Sequence, residues 1–247
     1  MKDLPKINLH IHSNFSDGIN SIPQIVKKST KLGLKYISIT DHFTNSWKSN
    51  IIPNLDTIDK LEDYFKQISL CQEFLNYKKI DLTILKGVEI DIQSSQSHIL
   101  KYINPMKFDI ILFEYLENPE GIAFIKILLD NWIKSRKVNN NFSVFGLAHF
   151  DPSYFIYGNL NMLIKFLNKY EIFFEFNSSY SHCYSRKNEL FFQELKNSKI
   201  NVSIGTDSHH LMDLGKLEEP LEMVFYYNLE DNLQNLIHKL EMRKDRI

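Results

Sequence analysis

The chain has 247 residues, 43% of them hydrophobic, with 29 Lys and Arg against 30 Asp and Glu for a formal net charge of −1. That length permits one large or two small domains around a real core. A charge near zero excludes a generic nucleic-acid coat protein, because no field of the whole molecule draws in DNA, RNA or anionic membrane.

From the N-terminus, Met1 to His10 contains no apolar run of signal-peptide length, and no later segment approaches the roughly 18 apolar residues needed to span a bilayer, so a soluble protein without membrane contact is expected. Ile7-Asn-Leu-His-Ile reads as a first buried strand, with His10 and His12 at its close and Asp17 just beyond. Ser21 to Leu32 reads as a helix with a Ser cap, Pro23 near its start and Gly33 past its end. Lys35 to Thr40 is a second strand, followed by His42, and Thr57 to Tyr77 a second helix with Leu61, Phe65, Ile68 and Leu75 on one face. Further strands are predicted at Leu82 to Glu89, Phe108 to Glu114, Phe142 to Ala148 with His149 next, Glu171 to Phe176, and Ile200 to Gly205 with Asp207 and His209 following. Residues 210–247 read as a C-terminal helical segment.

Strand then helix, seven times over, predicts a parallel sheet, because only strands covered on both faces are apolar throughout. A closed or nearly closed (β/α) barrel is the expected α/β architecture; an open doubly wound sheet would gather its polar residues at one switch point, whereas here they follow nearly every strand. No linker or repeat marks a boundary, so 1–247 is expected to be a single domain. Cys71 and Cys183 are widely separated and form neither a disulfide framework nor a zinc spacing, which points to a reducing, cytoplasmic setting.

In a barrel the C-terminal strand ends meet on one face. His10, His12, His42, His149 and His209, joined by Asp17, Glu89 and Asp207, would all open there. One His at a strand end is ordinarily a hydrogen-bonded residue of no special role, but five with three carboxylates are a constellation. Side chains alternate along a strand, so His10-x-His12 places two imidazoles on one face, which suits two ligands on one ion. Imidazole and carboxylate without thiolate suit Zn²⁺, Mn²⁺ or Fe.

These motifs, Asn8-Leu-His10-Ile-His12 through Asp17-Gly18, then Ile39-Thr40-Asp41-His42, Gly87-Val-Glu89, Ala148-His149 and Gly205-Thr-Asp207-Ser-His209, resemble the PHP (polymerase and histidinol phosphatase) superfamily over residues 8–209. The resemblance implies a distorted (β/α)₇ barrel with two or three divalent ions. It implies that His10, His12, Glu89 and Asp207 hold one ion, that Glu89 bridges to a second held with His149 and His98, and that Asp17, His42 and His209 hold a third. Where many relatives have a His beyond strand four, this chain offers Glu114, either a substitute ligand or a bystander. Glu175-Phe-Asn177 resembles a supporting Glu-x-Asn pattern of the family.

Asp17 and His209, with Arg186 as a fork for phosphate oxygens, are the expected catalytic set. Arg186, Lys48 and Lys187 are the plain cations of the strand-end loops. His182 and His210 fall in loops near the same mouth, His238 on the last helix, and Phe43, Trp47, Tyr115, Tyr154 and Tyr180 could stack a ring. The expected activity is metal-dependent hydrolysis of phosphate monoesters of a small metabolite or nucleotide, the ions lowering a water's pKa from about 16 to about 7. Alternatives are a phosphodiesterase or exonuclease on short oligonucleotides, disfavoured by the lack of a basic patch, and a non-catalytic metal-bound scaffold, disfavoured by the completeness of the ligand set. No obligate protein partner is evident, and the Asp17-Gly18 ending fits the general and polymerase-like branches better than the dedicated histidinol phosphatases.

Overall fold

The computed structural model describes residues 4–134 and 143–244. Eight strands form one parallel sheet: β1 (Ile7–Ile11), β2 (Tyr36–Ile39), β3 (His42–Phe43), β4 (Thr83–Asp91), β5 (Ile110–Glu114), β6 (Val144–Leu147), β7 (Phe173–Asn177) and β8 (Val202–Gly205). The spatial order is β1-β2-β4-β5-β6-β7-β8, with β3 also on β4; β2 falls within the predicted second strand, Lys35 to Thr40, and β3, after the break at Thr40 and Asp41, is a short strand the sequence reading did not include. The predicted fifth strand was to begin at Phe142, which lies outside the described residues.

The sheet curls into a nearly closed barrel. Its seam is slight: Ile11 bridges Ser208, the His12 N–H donates to the Ser208 carbonyl at 3.0 Å, and the Asn8 carboxamide donates to Thr206 Oγ1 at 2.8 Å and to the Leu214 carbonyl at 3.1 Å. The β1–β2 register skips one residue between Asn8 and Ile11, a bulge at the stretch that carries His10.

The helices cover the outside. Helix α1 (Ile22–Leu32) starts at Ser21, whose N–H is accepted by the Gln24 side chain at 2.9 Å, and ends at Gly33 with φ of 70°, which glycine adopts without strain. Helix α2 (Ile58–Tyr77) is capped by Thr57 and buries Leu61, Tyr64, Ile68 and Leu75, close to the predicted face, while Phe65 is half-buried. Helix α3 (Gln96–Tyr102) intervenes between β4 and β5, α4 (Pro119–Lys134) between β5 and β6, and α5 (Ser153–Ile156) and α6 (Leu160–Tyr170) between β6 and β7. Helix α7 (Glu189–Asn197) leads into β8, and the predicted C-terminal helical segment is α8 (Glu218–Tyr226) and α9 (Glu230–Lys244). No helix among the described residues is long and apolar enough to cross a membrane.

The break in the second strand is held from outside by one phenol. The buried Tyr64 hydroxyl on α2 lies 2.6 Å from the Ile39 carbonyl and 2.8 Å from that of Gly87, sharing its hydrogen between the two strands where their ladder lapses. Gly87 is required here, because a Cβ would stand 2.5 Å from the Ile39 carbonyl oxygen. Tyr64→Phe leaves both buried carbonyls short of a donor, so it should lower stability by about 1–3 kcal/mol in urea unfolding.

Candidate metal centre

The C-terminal strand ends bring together nearly every residue singled out in the sequence. β1 supplies His10 and, one step past its end, His12; β3 supplies His42, β4 Glu89 and β5 Glu114; His149 follows β6, and Asp207 and His209 follow β8. His10 Nε2 lies 3.0 Å from His12 Nε2 and 3.5 Å from both Glu89 Oε1 and Asp207 Oδ1. His12 Nε2 lies 2.9 Å from Asp207 Oδ1 and 3.4 Å from Glu89 Oε2. Beside this grouping stands a second: Asp17 Oδ1 is 3.1 Å from His209 Nε2 and 3.7 Å from His12 Nδ1, and Asp17 Oδ2 is 3.5 Å from His42 Nε2. His149 Nε2 meets Glu89 Oε1 at 3.1 Å, and His42 Nδ1 meets Glu89 Oε2 at 2.9 Å.

These residues fit divalent metal ions. His10, His12 and Glu89 offer ligand atoms within 4.8 Å of one another, as do His12, Asp17, His42 and His209, and as do His42, Glu89 and Glu114. Both Glu89 oxygens and Asp17 Oδ1 are buried without an aligned hydrogen bond, although imidazole nitrogens crowd them. Two imidazole nitrogens 3.0 Å apart, facing common carboxylate oxygens, are arranged as ligands sharing a cation. The donors are imidazole and carboxylate, the chemistry of hydrolytic metal sites.

The electrostatics agree. Burial pulls the His10 imidazole down, but the carboxylates of Glu175, Glu89 and Asp207 outweigh it and hold it well above its ordinary value. Burial and the neighbouring His42 lower His12. Burial would raise the Asp17 and Glu89 carboxyls, yet the surrounding imidazoles hold both well below the carboxylate range.

Supporting residues set this geometry. Glu175 on β7 lies 2.9 Å from His10 Nδ1 and accepts the His149 N–H at 2.8 Å and the Asn177 carboxamide at 3.1 Å. It thereby fixes which His10 nitrogen faces the cluster and where the strand-six turn begins. Asp41, which the sequence reading quoted without a role, accepts the Ser13 N–H at 2.8 Å and the Ser13 and Ser16 hydroxyls at 2.5 Å each, pinning the loop that carries Asp17. Three residues of the rim hold left-handed backbone, Tyr115 (φ 68°), His149 (φ 33°) and Asp207 (φ 50°).

Two expected site residues lie elsewhere. His98 is not with the cluster: Ser95 caps α3 by accepting its N–H, and the helical turn lays its ring on Phe43 at 5.1 Å and beside Tyr102 at 4.8 Å. Arg186 is exposed, with its guanidinium 4.9 Å over the Tyr226 ring on α8 and away from the cavity wall. The cation at the site is Lys48, whose Nζ stands 3.0 and 2.9 Å from the two Glu114 oxygens.

Above the cluster opens a cavity of about 350 Å³. Tyr115, Tyr154 and Tyr180 line it, Tyr180 stacked on His149 at 4.4 Å, whereas Phe43 is buried under His98 and Trp47 is outside. His182 and Cys183 are also in its wall; His210 and His238 are exposed and not among the lining residues. Asp151, His182 and Cys183 form a further grouping at the rim, where burial pushes the Cys183 thiol up to about 12.

Comparison with known proteins agrees with this layout. The PHP domain model matches residues 8–187. Over 88 residues the chain is 39% identical to the DNA polymerase/3'-5' exonuclease PolX of Bacillus subtilis, a match covering 35% of this chain and only 14% of that protein. Over 240 residues it is 25% identical to the probable histidinol-phosphatase of Thermotoga maritima, covering 91% of this chain and 93% of that one. The fold is shared with histidinol phosphate phosphatase of Lactococcus lactis, solved with zinc, L-histidinol and phosphate, at a TM-score of 0.62 and 17% identity over 91% of this chain and 94% of the other.

Because Glu175 orients His10, Glu175→Gln should weaken metal affinity by about 10- to 100-fold while the fold persists. Titration of chelator-stripped protein with zinc checks this, and unchanged affinity would remove Glu175 from the centre.

Proposed function

The chain belongs to the PHP domain family, and on that premise we propose that it is a metal-dependent phosphatase acting on phosphate monoesters of a small metabolite or nucleotide. The observation that carries the reading is the convergence of five imidazoles with Asp17, Glu89 and Asp207 at the base of one small cavity. His10, His12, Glu89 and Asp207 would hold one ion and Asp17, His42 and His209 another. Bound there, divalent ions supply Lewis acidity toward phosphoryl oxygens and a water of lowered pKa.

The chain's own groups set what reaches that centre. A cavity near 350 Å³ suits one small phosphorylated molecule rather than a polymer. Tyr115, Tyr154 and Tyr180 offer aromatic faces to its organic part, and the Tyr180 hydroxyl, raised by burial and by Asp207, stays protonated as a hydrogen-bond donor. Lys48 is the one Lys or Arg among the lining residues, so positive charge is concentrated at the base and not laid along a groove.

The local identity to PolX favours a second reading, an exonuclease on short oligonucleotides. It is disfavoured because successive phosphates ordinarily need cations along a channel, and with Arg186 on Tyr226 the cavity wall offers none beyond Lys48. A non-catalytic scaffold would have no use for so complete a set of ligand groups.

The test is a metal-supplemented screen that includes L-histidinol phosphate, other phosphorylated metabolites, mononucleotides and short oligonucleotides. Monoesters should lead by kcat/KM, and Asp207→Asn should cut turnover by about 100-fold or more. A preference for oligonucleotides that persists at physiological salt would put the exonuclease reading first, and near wild-type turnover in Asp207→Asn would refute the assignment of the centre.

A further inference from the structure

We infer that the Lys48 ammonium stands in for one metal ion in this centre, so that the protein carries two divalent ions and not three. The inference rests on the metal-dependent reading above and concerns its composition. Lys48 belongs to a 3₁₀ turn, Trp47–Asn50, built against the end of β4. Ser46, which caps the turn, donates its hydroxyl to Asp91, Thr44 donates to the same carboxylate at 2.8 Å, and the Trp47 indole donates to Gln93 at 2.9 Å. A turn tied down at three points delivers the side chain into the cluster, where only 13% of it is exposed.

There the ammonium does what a cation ligated by the third grouping would do. It takes both oxygens of Glu114, a carboxylate 1% exposed. It also stands 3.4 Å and 3.3 Å from the two ring nitrogens of His42, nearly equidistant and so beside the ring rather than in line with either lone pair, with the Tyr115 ring 5.3 Å away. His42 cannot serve two ions. A neutral imidazole has one lone pair; an ion held through Nε2, which lies 3.5 Å from Asp17, leaves Nδ1, 2.9 Å from Glu89, protonated and without a lone pair for a second ion. The His42–Glu89–Glu114 grouping thus loses its imidazole lone pair to the neighbouring site and its Glu114 carboxylate to Lys48. His98, the other ligand expected for this ion, lies on Phe43. What remains for a third ion is Glu89 and His149 beside a fixed positive charge.

Charge arithmetic points the same way. Four carboxylates, Asp17, Glu89, Glu114 and Asp207, face the centre; two dications with the ammonium exceed them by one positive charge, three by three. One net charge suffices to attract a phosphate dianion, and a lysine obtains it without a ligand shell.

Equilibrium dialysis of the full chain against zinc, followed by elemental analysis, tests this. Wild type should hold about two ions, Glu114→Gln about two, and Lys48→Arg about two, whereas Lys48→Met should take up about one more. The Lys48→Met/Glu114→Gln double variant should lose that extra ion, which identifies Glu114 as its ligand. Three ions in wild type, or an unchanged count in folded Lys48→Met, overturns the inference. If Lys48→Met does not fold, Glu114→Gln decides: loss of an ion from that variant means Glu114 is already a ligand and overturns it too. Wild type that binds no ion removes the metal-dependent reading itself and this inference with it, and is distinguishable from every other outcome.

Discussion

The buried carboxylate of Glu89 is the constraint around which the molecule is organised. An ionised carboxylate with no access to water costs several kcal/mol unless charge and hydrogen bonds compensate it. Here the compensation comes from four imidazoles, His10, His12, His42 and His149, supplied by three different places in the barrel wall. None of these is adjacent to Glu89 in sequence. Only a closed parallel barrel, in which the C-terminal ends of β1, β3, β4 and β6 surround one axis, brings them within 3.5 Å. The fold is therefore a condition for the carboxylate's ionisation, and the ionised carboxylate is the pivot on which both ligand groupings are hung.

A ring of supports keeps that arrangement in place at some local expense. Left-handed backbone at Tyr115, His149 and Asp207 costs of order 1 kcal/mol at each non-glycine residue. Each lies one or two residues past a strand, where the chain must turn off the sheet while its side chain still faces the axis. Glu175 answers part of this by accepting the His149 N–H, and the His209 ring, 2.9 Å from the Asp207 carbonyl, answers another part. Asp41 and Asp91 do the same for loops: each accepts two hydroxyls and a backbone N–H, and each sets one functional side chain, Asp17 in the first case and Lys48 in the second.

Much of this was legible in the sequence, and the reasons are physical. Parallel strands covered on both faces are uninterrupted apolar runs, so seven strands stood out, and the two-residue β3 did not, because it follows a break where the Tyr64 hydroxyl takes the Ile39 and Gly87 carbonyls. Strand-end His and carboxylates were legible because period-two alternation and barrel topology together decide where they meet. Local structure places two expected residues away from the cluster: the Ser95 cap starts a helix that carries His98, implied by the resemblance, onto Phe43, and Tyr226, some 40 residues on, holds Arg186, read as a phosphate fork from its chemistry, on the outside. Lys48 was visible only as one more loop cation, because its placement depends on Asp91, a residue 43 positions away that carries no signal of its own.

The slight seam between β1 and β8 has a mechanical consequence. Two hydrogen bonds of Asn8 and the single bridge at Ile11 are a weak weld for the ends of a rolled sheet. The ligand groups straddle that weld, His10 and His12 on one lip and Asp207 and His209 on the other, with Asp17 reaching across. Any cation gripped by both lips acts as a rivet closing a loop of nearly two hundred residues, and the entropy of closing a loop grows with its length. In such a barrel the atoms that would grip an ion are also the atoms that fasten the seam, so one binding event would serve both the site and the closure of the sheet.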